Sequence, residues 1–334
     1  MATEPSELRP ARVRVPASTS NLGSGFDCIG LAVSRYLDAA YEPGDAPLRI
    51  ERAGTLSALR AGVEDDVLAR AFAARLAAHG VSHARGTIRA SSDIPLSRGL
   101  GSSAAAVVAG LALADAAAGR LENAAQPEPP GHSPAPALAL APAPHAEWLA
   151  LATELEGHPD NAAPAIFGGL VAVARDADGA PQAVPLPLSP DVGFAYAAPG
   201  AEVSTNAARQ ALPADVPHDV AARALGRLAA LLHGLAVADA ELIRVGFTDE
   251  LHVRYRMPLI PGAPDAMDAA RGAGAWAVTI SGSGSGLIAA CEPARAADVA
   301  AAMADAFRRA AGPDGVVHFP AEPALLGVRV EQAR

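Results

Sequence analysis

Residues 98–113 read RGLGSSAAAVVAGLAL. Glycine costs a chain backbone entropy, yet two glycines and two serines stand here directly before a run of almost pure Ala, Val and Leu. The run from Ala104 to Ala118 is a strong helix former with Gly110 as its one weak point, and Ser102 or Ser103 is a suitable N-cap. Glycines free of Cβ clashes let successive backbone N–H groups converge, and a helix N-terminus adds partial positive charge. The stretch reads as an anion cradle, with close helix packing as the plain alternative. GLGSSA also fits the dinucleotide fingerprint G-x-G-x-x-[GA], but that fingerprint wants a second parallel strand and a ribose-binding acid about 20 residues on. Here the helix runs into a proline-rich tract, which argues against dinucleotide binding. The chain contains no lysine, and all 26 basic residues are arginine. A Walker-type loop needs a lysine, so backbone amides, the helix dipole, a metal and arginine must share any bound phosphate.

Working outward, RVRVP (Arg12 to Pro16) reads as a strand, followed by the small-residue loop STSNLGSGFD and the apolar run CIGLAV. GTIRASSDI (Gly86 to Ile94) alternates like a strand, and Pro95 stops it. Residues 124–144 are Pro/Ala-rich and read as a solvated insertion. HAEWLALATELEG (His145 to Gly157) restores helical periodicity and ends where His158-Pro159 forbids continuation, which puts EGHPDN at a helix C-terminus and turn. GGLVAVAR reads as a strand, and residues 176–190 are the best linker candidate. Beyond them come a strand over 192–198, helices from Ser204 and from about Asp219 to Leu235, and a loop HVRYRMPLIPG. A helix after Pro264, a strand-loop-strand AWAVTISGSGSGLIAAC, a helix Ala294 to Ala311 and a strand GVRVEQ complete the pattern. The elements lack the βα period of a doubly wound sheet, and 334 residues exceed one usual domain. An α+β fold of two domains, 1–180 and 181–334, is predicted.

A content of 51% hydrophobic and 19% charged residues places the chain among globular proteins rather than disordered ones. The net charge of -10, with acids spread along the chain, argues against a nucleic-acid or anionic-membrane partner. Cys28 and Cys291 are too few for a disulfide framework or a cysteine zinc site and suit a reducing cytoplasm. The opening MATEPSELRPARVRVP has no apolar signal core, and no uninterrupted apolar stretch reaches the roughly 18 residues of a span. A cytoplasmic location is expected.

Four segments, PASTSNLGSGFD (16–27), IPLSRGLGSSAA (94–105), EGHPDNAAPAIFGG (156–169) and ISGSGSGLIAAC (280–291), occur in this order. Together they resemble the GHMP kinases, the superfamily of galactokinase, homoserine kinase, mevalonate kinase and phosphomevalonate kinase. The resemblance spans nearly the whole chain except the Pro-rich insertion and the last few residues. It implies a ribosomal-protein-S5-like N-terminal domain and a ferredoxin-like C-terminal domain. STNAAR (204–209) and RYRMPLIPG (254–262), with the first loop and the HPDN turn, are most similar to the branch acting on homoserine. The implied activity is phosphorylation of the side-chain hydroxyl of L-homoserine for threonine synthesis, with ATP and Mg²⁺, by a homodimer. The alternatives are a kinase for another small alcohol such as mevalonate, or a ligand sensor without turnover; a sensor has no need to keep the glycine loop, Glu156 and the HPDN turn.

The resemblance also implies residue roles. Pro95, Leu96, Ser97, Arg98, Gly99, Leu100, Gly101, Ser102, Ser103, Ala104 and Ala105 would bind ATP phosphates through their backbone. Ser103 and Glu156 would hold Mg²⁺; Glu154 is the alternative acid, because this segment is shorter than in some members. Ser103 otherwise reads as a plain cap. The loop containing Gly284 would close over substrate and phosphate. The position aligned with a base in related kinases is Asn161, so the hydroxyl proton is expected to pass directly to phosphate, with Asn161 and His158 orienting. Asp27, beside Asn21, would meet the substrate ammonium. Thr205 and Arg209 share one helix face, and Arg209 with Arg256 would fork the carboxylate, the arginines also offsetting charge on the transferring phosphate. Asp27 otherwise reads as a turn residue, and each arginine as a solvated one.

Overall fold

Two antiparallel-dominated sheets meet at a cleft in this computed structural model, which describes residues 8–121 and 144–332. The proline-rich insertion, apart from Pro144, lies outside the described residues. The first layer is built from β1 (Ala11–Ser20), β2 (Ile29–Pro47), β3 (Arg49–Gly54), α1 (Val67–Ala78), β4 (Arg85–Ser92) and α2 (Ser102–Ala117). It continues through α3 (His145–Glu156), α4 (Ala162–Phe167), β5 (Leu170–Arg175) and β6 (Pro181–Leu186). The second comprises β7 (Gly193–Ala198), α5 (Thr205–Gln210), α6 (His218–Val237), α7 (Ala240–Phe247), α8 (Val253–Arg256) and α9 (Ala263–Gly272). It is completed by β8 (Ala277–Ile280), β9 (Leu287–Cys291), α10 (Ala296–Ala311) and β10 (Val317–Pro320), and β11 (Arg329–Gln332) follows.

The first sheet runs β11-β1-β2-β4-β3, with β5 pairing β2 and β6. Residues 176–190 are therefore not simply a linker: Pro181–Leu186 pairs with Leu170–Arg175 in antiparallel register. The expected boundary at 180/181 falls in the turn of this hairpin, and β11 brings the end of the chain back beside β1. The second sheet runs β10-β7-β9-β8, every pair antiparallel. With helices after β7 and α10 between β9 and β10, this is the split β-α-β pattern of a ferredoxin-like domain. All six residues of β7, GFAYAA, are buried, as a central strand covered on both faces requires. One face packs on α9 and α10, and Phe194, Tyr196, Ile288 and Ala290 on the other join the core of the first layer.

α2 begins at Ser102, two residues before the expected start, and is buried along nearly its whole length. Gly110 is no defect: a Cβ there would stand 2.4 Å from the Leu68 carbonyl, so its absence sets the close crossing of α1 and α2. A buried cluster staples α3 to both. Asp115 on α2 accepts from Arg75 Nε (2.7 Å), from His79 Nε2 and from Trp148 Nε1 (2.8 Å), and Arg75 also reaches Glu147 (2.7 Å). The loop expected over 252–262 forms α8 and a 3₁₀ turn, because Asp249 accepts from the backbone amides of His252 and Val253 (2.7 Å each) and so starts a helix. Among the described residues α6 is long and apolar enough to cross a membrane by length and composition alone. Within it, Arg223 and Arg227 pair with Glu250, and Leu231 and Leu235 are buried.

Candidate active site

The glycine stretch turns at the mouth of α2 through three left-handed residues, Ser97 (φ 55°), Gly99 (φ 74°) and Gly101 (φ 61°). Gly99 admits no side chain, since a Cβ would lie 1.9 Å from the Ser281 carbonyl. Gly101 is itself the N-cap, so neither Ser102 nor Ser103 caps the helix; both lie in its first turn, and no side chain caps it. First-turn amides without a side-chain acceptor are the donors an anion needs. Leu96 through Ala104 line a cleft of about 480 Å³, whereas Pro95 and Ala105 do not line it. Ser103 Oγ donates to Glu156 Oε1 at 2.6 Å, because α3 ends at Glu156 beside the first turn of α2. Glu156 lines the cleft, whereas Glu154 is exposed elsewhere on the helix.

Gly157 closes α3 in the left-handed conformation (φ 82°) and delivers the HPDN turn beneath the cradle. His158 Nδ1 meets Asp160 Oδ1 at 2.8 Å, and Nε2 has no hydrogen bond among the described residues. Burial alone would lower the His158 pKa, but the hydrogen bond and charge of Asp160 outweigh it and hold it above the ordinary imidazole value. Burial likewise pushes Asp160 up, yet its bond to His158 leaves it below the usual carboxylate range. Asn161 is occupied: Ser18 Oγ donates to its Oδ1 (3.0 Å) and its Nδ2 donates to Ser20 Oγ (2.9 Å). It bolts the end of β1 to the turn.

The second glycine loop crosses over from the ferredoxin-like layer. Ser281 Oγ donates to Gly99 O (2.7 Å) and shares a bond with Thr19 Oγ1 (2.8 Å), while the Gly282 amide donates to Ser20 O (2.9 Å). Gly282 and Ser283 line the cleft. Gly284 does not; its amide turns back to Ser281 O (2.9 Å), and a Cβ would meet Ile260 at 2.9 Å.

At the same end, Arg209 and Asp27 pair through two bonds of 3.1 and 3.2 Å, so the two groups expected to receive opposite charges of a substrate hold each other. Arg209, Thr205 and Asn21 line the cleft, and Asp27 joins it through its bonds to Arg209. Arg256 is 2% exposed, donates to the carbonyls of Ala208 and Gly282 (3.2 Å each), and stands over the Phe26 ring. No carboxylate lies within ion-pair distance of it among the described residues, and burial lowers its pKa. A guanidinium so placed calls for an anion. Sequence reasoning missed the opposite end of the cleft, where Leu56, Leu59, Val67 and Leu68 form an apolar wall. Beside it Arg52 donates to Asp66 (2.7 Å) and Ala61 O (2.8 Å). No motif marks these residues; only the packing of α1 against the segment after β3 brings them to the cleft.

A glycine cradle at the start of a helix, an apolar slot and a charged end in one groove between an S5-like and a ferredoxin-like layer are the arrangement of a small-molecule kinase of the GHMP class. In agreement, the family profile "GHMP kinases N terminal domain" matches residues 66–126 and "GHMP kinases C terminal" matches residues 220–309. Among curated relatives, the homoserine kinase of Moorella thermoacetica is 39% identical over 89% of this chain and 92% of its own length. That of Thermus thermophilus is 38% identical over 91% and 93%. The crystal structure of homoserine kinase from Cytophaga hutchinsonii superposes with a TM-score of 0.76 at 26% identity, covering 99% of both chains. The mevalonate kinase of L. major, at 16% identity and a TM-score of 0.64, shares the fold alone. The chain belongs to the homoserine kinase family.

Proposed function

We propose that this chain transfers the γ-phosphoryl group of ATP to the side-chain hydroxyl of L-homoserine, giving O-phospho-L-homoserine for threonine synthesis in the cytoplasm, as a homodimer. The observation that carries the substrate is Arg256, a buried cation without a carboxylate, beside Arg209 and Asp27 in the same groove as the glycine cradle. An amino acid presents the carboxylate and ammonium this constellation answers; mevalonate offers no such pair. The apolar slot at Leu56, Leu59 and Val67 suits the nucleotide base, which puts the phosphates at the amides of 97–103 and α2. Ser103 and Glu156, two oxygens in direct contact, fit a Mg²⁺ ion that takes one or two protein ligands and completes its shell with phosphate and water. When bound, that ion supplies charge neutralisation at the phosphates.

In the transfer, the acceptor oxygen forms its bond to the γ-phosphorus as the bond to ADP breaks, and the hydroxyl proton passes to a phosphoryl oxygen. With Asn161 tied to Ser18 and Ser20, and Asp160 tied to His158, positioning and charge carry the step rather than a strong base. His158, held from Nδ1, presents Nε2 to orient the acceptor. The test is a coupled ADP-release assay with L-homoserine and mevalonate in parallel. ADP release with homoserine and not with mevalonate is expected; the reverse would move the chain to another alcohol, and none with either would mark a ligand sensor.

A further inference from the structure

The Asp27–Arg209 bridge joins the two side chains that, in the homoserine reading above, meet the ammonium and the carboxylate of the acceptor. We propose that the bridge is a charge-matched gate, which a zwitterion opens by replacing both halves at once and which a singly charged molecule cannot open without stranding one half. The inference rests on that reading and adds how acceptors are selected.

The bridge is bidentate, Nη1 to Oδ2 at 3.2 Å and Nη2 to Oδ1 at 3.1 Å, and its side chains are 39% and 36% exposed, so an incoming ligand can reach both. The two halves stand on unequal supports. Asp27 is fixed: its backbone is left-handed (φ 54°), its amide donates to Asn21 Oδ1 (2.8 Å), and Asn21 Nδ2 is anchored on Gly282 O (2.9 Å). Arg209 rides on α5, six residues long with Ala208 its one buried residue. The carbonyl of Ala208 accepts from Arg256 Nε (3.2 Å), so the movable half of the bridge is wired to the buried cation.

The charge count decides the outcome. Closed, the bridge is neutral and Arg256 is left positive. A zwitterion places its ammonium on Asp27 and its carboxylate between Arg209 and Arg256, and every charge gains a partner. A lone carboxylate that draws Arg209 away leaves Asp27 bare. A lone ammonium on Asp27 leaves Arg209 beside Arg256, two like charges unneutralised. A singly charged ligand that engages Arg209 or Asp27 therefore competes against an existing ion pair, and removing the half it does not use should help it bind.

That crossed effect is the test. Dissociation constants of three hydroxyl-free probes, L-2-aminobutyrate, butanoate and n-propylamine, are measured by NMR titration on the parental chain, Asp27→Asn and Arg209→Gln. Butanoate is expected to bind Asp27→Asn roughly two- to fivefold tighter than the parental chain, the range a partly exposed ion pair supports. n-Propylamine is expected to bind Arg209→Gln tighter by a similar factor, and L-2-aminobutyrate to bind both variants more weakly. Glu202→Gln removes an equal charge next to the cleft-lining Val203 without touching the bridge and should leave butanoate binding unchanged. Absence of either crossed gain, or an equal gain in Glu202→Gln, overturns the gate. Failure of the parental chain to bind L-2-aminobutyrate overturns the homoserine reading beneath it.

Discussion

At residue scale, the glycines of the cradle are fixed by the protein atoms packed against them. A Cβ on Gly101 would stand 2.2 Å from Ser18 Oγ and 2.9 Å from Asn161 Oδ1, and not where a phosphate would lie. Gly101→Val is therefore expected to displace the first-turn amides by forcing Asn161 off β1. Loss of such donors costs on the order of 10²- to 10³-fold in kcat, and steady-state kinetics with an unchanged kcat would refute their role. The His158–Asp160 pair makes a second prediction. The raised His158 pKa contributes stability present below its ordinary value and lost as pH rises through the folded one. The lowered Asp160 pKa contributes stability present above its ordinary value and lost as pH falls through the folded one. In Asp160→Asn burial acts on His158 without its counterweight, so the imidazole midpoint, followed by NMR, should fall below the ordinary histidine value; a midpoint still above it would show that Asp160 is not the cause.

At the scale of elements, the staple at Asp115 holds α1, α2 and α3 in one register, and thereby holds Glu156 at the end of α3 against Ser103 at the start of α2. Asp115→Ala takes from Arg75, a buried cation, its two-bond partner, leaving it only the exposed Glu147, and strands the Trp148 N–H. A loss of about 3 to 5 kcal/mol in unfolding free energy is expected from denaturant titration; a loss under 1 kcal/mol would show the staple to be dispensable. Much of this layer was legible in the sequence. The Ala-rich run, the Gly157-His-Pro stop and the alternating strands follow from local propensity and backbone geometry, so α2, α3 and β4 lie within a few residues of their expected limits. What local signals left out depends on distant partners. The segment 181–186 is a strand only because Leu170–Arg175 lies beside it, and α8 forms only where Asp249 accepts from the amides of His252 and Val253. The role of Ser103 in facing Glu156 rather than capping α2 needs Gly101 in a left-handed conformation that no pattern in the chain announces. The apolar slot was invisible for the same reason, since its walls come from α1 and the segment after β3, which no motif joins.

At the scale of the whole molecule, the groove is shared property: the cradle belongs to the first layer, the serine loop that grips Gly99 to the second, and across the seam Arg209 reaches Asp27 while Arg256 stands over the Phe26 ring. Residues 124–144 join α2 to α3, whose facing ends are already tied by Trp148 Nε1 to Asp115 at 2.8 Å. A short connection can span that distance, so deletion of 124–144 is expected to change kcat for homoserine by less than about twofold, as for a surface connection; a tenfold loss would show that the segment covers the groove. The pairing of β11 with β1 has a consequence for how the protein is born. A ribosome adding about 5 to 20 residues per second needs roughly 15 to 60 s to travel from the end of β1 at Ser20 to Gln332 in β11. For that interval β1 has β2 on one side and an open row of backbone donors and acceptors on the other, the kind of edge that recruits foreign strands. The nascent chain must carry this unzipped seam past the exit tunnel until residues 329–332 emerge and dock, so the strand that starts the first layer waits on translation of almost everything else.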